Sequence, residues 1–259
     1  MQDSQEVQRD ARPRRRVYLL PNLFTTANLL CGFYAVIAAF NGNFINAAWS
    51  IIIAILFDSM DGRVARLTRA TSNFGVQYDS LSDLTSFGIA PAFVGYLWCL
   101  QPYGRLGWLA AFVYVVCAAL RLARFNVSAD TIPKKYFQGL PSPVAAATVA
   151  SAILFYQDME FAFHRPPFLL ALMLTQASFM ISSIRFSSFK EFKMNRGNSF
   201  GVLAVVILTI VLIAIRPEVT LFGMCLLYTL ANVSIHLYSL TGANKKVAAE
   251  FEAKGTLPK

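Results

Sequence analysis

Acidic residues are scarce in this chain. Between Asp10 and Asp130 only four occur, Asp58, Asp61, Asp79 and Asp83. Charged residues of both signs make up 14% of the 259 residues, against 56% hydrophobic. Long apolar runs fill the space between them, so a soluble globular class is excluded. Glycine and proline are not enriched, and no internal repeat is evident. Four cysteines, Cys31, Cys99, Cys117 and Cys225, all fall in apolar runs, with no C-x-x-C pair. They read as small buried hydrophobes and imply no disulfide framework. His164 and His236 have no partner in their local sequence, so neither is taken as a ligand.

The runs approach or exceed the ~18–20 residues needed to span a bilayer. The fold class is therefore all-α, a polytopic transmembrane helical bundle. About eight spans are expected, near 23–40, 44–60, 84–100, 107–125, 141–157, 167–185, 199–215 and 219–238. Residues 1–16 read as a basic cytoplasmic tail, 17–240 as the membrane domain and 241–259 as a polar, mobile cytoplasmic tail. No small-residue cleavage site precedes a soluble domain, so the first run reads as a retained span.

The net charge of +9 would suit nucleic acid, but its distribution argues against that partner. With both termini in the cytoplasm, 20 of the 23 basic residues fall on the cytoplasmic side. Only Arg105, Arg165 and Arg216 fall on the other. That asymmetry follows the positive-inside rule. The cluster Arg12 to Arg16 reads as topology control with attraction to anionic lipid heads.

The four aspartates stand at the cytoplasmic edge. Asp58 and Asp61 are i, i+3, and Asp79 and Asp83 are i, i+4, so each pair shares a helix face. Two helices joined by a short turn would set the pairs face to face. Carboxylates that converge repel unless a cation sits among them. An all-oxygen cage suits a hard divalent ion, Mg²⁺ or Mn²⁺, and four carboxylates can hold two. Gly62, Ala65 and Gly75 would admit a large group close to the backbone. Arg63, Arg66 and Arg69 add positive charge beside the acids. Metal, arginine and glycine together are how proteins hold a diphosphate. A cation transporter is the rival reading, but transporter acids lie near the midplane within related halves. Here they form one block of 26 residues at one edge.

The pattern Asp58-x-x-Asp61-Gly62-x-x-Ala65-Arg66, eight residues, then Gly75-x-x-x-Asp79-x-x-x-Asp83 resembles the complete signature of the CDP-alcohol phosphotransferase family. Further segments, Pro21 to Thr25 through Asn28, Arg121 to Asn126, and Phe137 to Pro143, are similar to the bacterial inner-membrane members that use serine as acceptor alcohol. The resemblance implies transfer of a phosphatidyl group from CDP-diacylglycerol to L-serine, giving phosphatidylserine and CMP, on the cytoplasmic face. It implies one or two divalent ions on Asp58, Asp61, Asp79 and Asp83, with Asp83 also taking the serine proton. It implies that Thr25, Asn28, Gly62, Ala65, Arg66, Ser72 and Gly75 bind CDP-diacylglycerol. Arg121 and Arg124 would bind the serine carboxylate or a phosphate, although arginines at a boundary also snorkel to lipid heads. A homodimer is expected from the family alone. The signature leaves other acceptors open: glycerol 3-phosphate, inositol phosphate or choline.

Overall fold

The computed structural model describes residues 19–68, 72–128, 136–158, 165–187 and 199–253. The basic cluster Arg12 to Arg16, Arg69, Lys134, Lys135 and His164 lie outside the described residues. The described chain is helical apart from two three-residue strands.

Helix α1 (Leu19–Phe40) and helix α2 (Phe44–Thr68) form a tight antiparallel pair. Their turn is a Schellman motif. The Asn43 N–H donates to the Ala38 carbonyl (2.8 Å) and the Gly42 N–H to the Ala39 carbonyl (3.0 Å), with Gly42 at φ 78°. The pair packs through small side chains, including Ala35, Ala38, Ala39, Ala47 and Ala48. Small residues let apolar helices approach closely where no hydrophobic force drives association in lipid.

The next rod runs from Asn73 to Tyr103. It begins as α3 (Asn73–Asp83), widens into a π-helical stretch at Leu84–Ile89, and resumes as α4 (Ala90–Gly95). A second wide stretch follows at Tyr96–Leu100. The sequence leads one to expect a kink at Pro91. Just before Pro91 the helix takes a wide turn, in which the Ala90 N–H reaches the Thr85 carbonyl, five residues back. A wide turn spares the carbonyl that a proline ring would strike.

Helix α5 (Arg105–Ser128) returns, followed by α6 (Ser142–Asp158), α7 (Arg165–Ile181), α8 (Ser199–Ile215) and α9 (Pro217–Ala253). Strands β1 (Tyr136–Gln138) and β2 (Arg185–Ser187) pair antiparallel, with Phe137 opposite Phe186. By sequence alone, both segments fall at or between the ends of the expected spans 107–125, 141–157, 167–185 and 199–215. Their pairing joins residues too far apart in the chain for local pattern to reveal. Helix α9 runs to Ala253, into the segment 241–259 that reads from sequence as a polar tail.

Among the described residues, five helices are long and apolar enough to cross a bilayer: Pro21–Phe40, Phe44–Val64, Asn73–Tyr103, Arg105–Val127 and Pro217–His236. Three more apolar helices, Ser142–Gln157, Pro167–Ile181 and Leu203–Ile215, are shorter. The core lies where α1, α2, α4 and α6 meet, around Ile51, Phe87, Val94, Val149 and Ile153, each fully buried. Large apolar side chains cover the outer faces, as on α8 with Leu203, Ile207, Leu208 and Ile210. The four cysteines are unbridged.

Candidate functional site

Helix α2 does not stop at its first acid. It runs seven residues past Asp61 to Thr68, so Asp58 and Asp61 both ride on regular helix. Helix α3 starts at Asn73, and Ser72 caps it by accepting the Gly75 N–H at 3.0 Å. The two helices turn their acids toward each other. One carboxylate oxygen from each of Asp58, Asp61 and Asp79 lies within 4.8 Å of the others. Asp58 is within hydrogen-bond reach of Asp83, and Asp61 of Asp79. The four aspartates thus form one cluster, as their spacing predicts.

Helix α1 closes the cluster from a third side. Thr25 Oγ1 donates to Asp61 Oδ2 at 3.0 Å. Asn28 Nδ2 donates to Asp83 Oδ1 at 3.2 Å. The Gly62 backbone N–H also lies beside the Asp61 carboxylate. The sequence reading assigns Thr25 and Asn28 to the nucleotide. Here both side-chain donors are directed at carboxylates, which links α1 to the acids.

Do these residues fit a divalent cation? Three ionised carboxylates at 4.8 Å repel by roughly 3 kcal/mol per pair at an effective dielectric of about 20. Ligands on opposite sides of a magnesium-sized ion stand about 4.2 Å apart, and slightly further for larger ions. The observed spread matches that scale. Asp79 Oδ1 is buried and has no hydrogen-bond partner among the described residues, and the same is true of Asn28 Oδ1. Buried oxygens normally find partners. The donor set, all hard oxygen, fits Mg²⁺ or Mn²⁺.

Beside the acids, Gly75 leaves a narrow gap. An added Cβ there would lie 3.1 Å from Ser72 Oγ and 3.6 Å from Asn22 Oδ1. Gly62 and Arg63 follow Asp61 on α2, with Arg63 exposed. Ala65 and Arg66 are on the same helix, and their side chains lie outside the described set.

The two arginines of α5 diverge. Arg121 is buried and lies close enough to Asp83 and Asp58 to act on both electrostatically. Its Nη1 donates to Ser142 Oγ at 2.6 Å, and its Nε has no partner among the described residues. Arg124 points to the end of α7. It donates to the carbonyls of Met180 (3.1 Å), Ile181 (3.1 Å) and Ser182 (3.4 Å). These are carbonyls that a helix end leaves without an internal donor. Gly139, at φ 81°, sits against this junction, where a Cβ would collide with the Met180 carbonyl. Sequence reasoning missed Ser142 as a neighbour of Arg121. Its only local signal is its place between two prolines at the start of α6.

A model of the family described as CDP-alcohol phosphatidyltransferase matches residues 18–184. The chain is 34% identical over 218 residues to a CDP-diacylglycerol–serine O-phosphatidyltransferase of Helicobacter pylori, covering 83% of this chain and 91% of that one. It is 32% identical over 173 residues to the protein of that name in Bacillus subtilis, covering 66% and 92%. It is 38% identical over 171 residues to an archaetidylserine synthase of Methanothermobacter thermautotrophicus, covering 64% and 69%.

Proposed function

This chain belongs to the CDP-alcohol phosphatidyltransferase family, and from that premise we propose that it transfers the phosphatidyl group of CDP-diacylglycerol to the hydroxyl of L-serine. The products are phosphatidylserine and CMP. The observation that carries the reading is the oxygen cluster of Asp58, Asp61 and Asp79, with Asp83 beside it and Arg121 adjoining. Serine as acceptor is supported by the relatives, whose names include serine in all three cases.

Asp58, Asp61, Asp79 and Asp83 would hold one or two divalent ions, Mg²⁺ or Mn²⁺. A bound cation there neutralises the diphosphate and the departing CMP. Gly62, Ala65, Arg66, Ser72 and Gly75, with Thr25 and Asn28, would line the CDP portion. Arg121 would take the serine carboxylate in its planar fork. Asp83 would accept the serine proton as the serine oxygen bonds to the lipid-bearing phosphorus and the bond to CMP breaks. Arg124 serves by holding the end of α7. In this reading both termini, and the cluster, face the cytoplasm. The three shorter apolar helices would complete eight spans, and residues 17–240 would form the membrane domain.

The test is CMP release by the purified protein from CDP-diacylglycerol. L-Serine, glycerol 3-phosphate, inositol phosphate and choline are offered in turn, with Mg²⁺ or Mn²⁺. Release dependent on serine and on metal is expected. Release driven by a different alcohol would overturn the acceptor, and release indifferent to metal would overturn the role of the cluster.

A further inference from the structure

We propose that Ser82 and Ser86 are positioning residues, which fix α1 so that Thr25 and Asn28 meet the carboxylates. On α1, Thr25, Asn28 and Gly32 share one face at i, i+3 and i+7. On the opposing rod, Ser82, Asp83 and Ser86 meet that face through hydrogen bonds, and Asp79 lies one turn before Asp83.

The hydrogen bonds interlock residue by residue. Ser82 Oγ donates to the Thr25 carbonyl at 3.0 Å, and the Thr25 hydroxyl donates to Asp61 at 3.0 Å. Ser86 Oγ donates to the Asn28 carbonyl at 2.9 Å, and the Asn28 amide donates to Asp83 at 3.2 Å. Each serine therefore grips the backbone of the residue whose side chain reaches an acid. Ser82, Ser86 and Asn28 are fully buried, and Thr25 nearly so.

Serines in helices usually donate to their own helix, one turn back. Ser80 and Thr85 on this rod do so, to the carbonyls of Val76 and Leu81. Ser82 and Ser86 reach across instead. Gly32 tightens the same contact, because a Cβ there would run into Ser86, side chain and backbone alike. The crossing is thus held at one distance by glycine and at one register by two hydroxyls.

The inference rests on the transfer reaction proposed above, and the experiment separates the two. Wild type, Ser86→Ala, Asn28→Ala and the double variant are compared in kcat for CMP release, in Mn²⁺ dissociation constant by calorimetry, and in Tm. A misplacement of about 1 Å can cost on the order of 100-fold in rate, so Ser86→Ala is expected to lose about 10- to 100-fold in kcat. The double variant should lose no more than Asn28→Ala alone, because the hydroxyl acts through that residue. Mn²⁺ binding should weaken by the same factor in both single variants. Losses that multiply in full would mean independent loosening and would overturn the proposal. So would a Ser86→Ala protein that turns over and binds Mn²⁺ like wild type. Ser82→Ala with Thr25→Val forms the second cycle. Ser86→Cys, which keeps volume with a weaker donor, replaces Ser86→Ala if that protein does not fold. Wild type that released no CMP with serine would end the functional reading, while the Mn²⁺ titrations would still decide the positioning role.

Discussion

Arg121 and Ser142 meet at 2.6 Å, and that bond ties the acid-facing side of α5 to the first turn of α6. It aims a buried guanidinium along the edge of the aspartate cluster and leaves its Nε without a described partner. Arg121→Ala is therefore expected to raise the KM for serine about tenfold or more, while the KM for CDP-diacylglycerol changes little. Arg121→Lys should recover only part of the loss, since an ammonium cannot supply the two-pronged contact. Steady-state kinetics with each substrate varied separately checks this. An unchanged KM for serine together with an unchanged kcat would remove Arg121 from the acceptor pocket.

Asp83→Asn keeps the shape of the cluster but removes the group proposed to take the serine proton. The expected loss is about 10²–10⁴ in kcat, the usual worth of a general base. Binding of CDP-diacylglycerol, followed by retention of the labelled lipid on the immobilised variant, should persist.

Asp79 behaves differently in the proposal. Its Oδ1 is one of the buried oxygens lacking a described partner. Asp79→Asn should raise the Mn²⁺ concentration for half-maximal activity by at least about tenfold, the scale of damage to a metal site's support. Saturating Mn²⁺ should restore much of the rate. A variant limited in kcat at every metal concentration would show that Asp79 does something else.

Chelation of the purified enzyme should stop CMP release, and added Mg²⁺ or Mn²⁺ should restart it. Retained activity after exhaustive chelation would leave the clustered carboxylates without their proposed task.

Arg124→Ala should act on stability. Losing bonds to the end of α7 costs about 1–3 kcal/mol, or a fall in Tm of about 2–4 °C per kcal/mol for a chain of this size. The KM for serine should move little. A rise as large as that for Arg121→Ala would place both arginines at the acceptor.

The aspartates were legible because charge is rare here: four acids in 26 residues, at helical spacing and flanked by apolar runs, have few bland explanations. The helices that carry them followed from length and hydropathy. The partners of α1 and α5 were not legible. Thr25 finds Asp61 36 residues away, Asn28 finds Asp83 across 55, and Arg124 finds Met180 across 56. Such pairings depend on how helices cross, which local periodicity does not record. The paired strands escaped for the same reason. The wide turn before Pro91 had a visible cause in the proline, but its form depended on neighbours the sequence does not place.

The wide stretch at Leu84–Ile89 makes the segment Asn73–Gly95 a two-part gauge. A helical wheel drawn through all of that segment would mislabel one part, since each residue of an ordinary helix turns by about 100° and the wide turn breaks that count. Removing a single residue there should let Asn73–Gly95 relax to uniform pitch while rotating one part against the other. Insertions and deletions at this spot should consequently be far more damaging than conservative substitutions, even though no acid is touched.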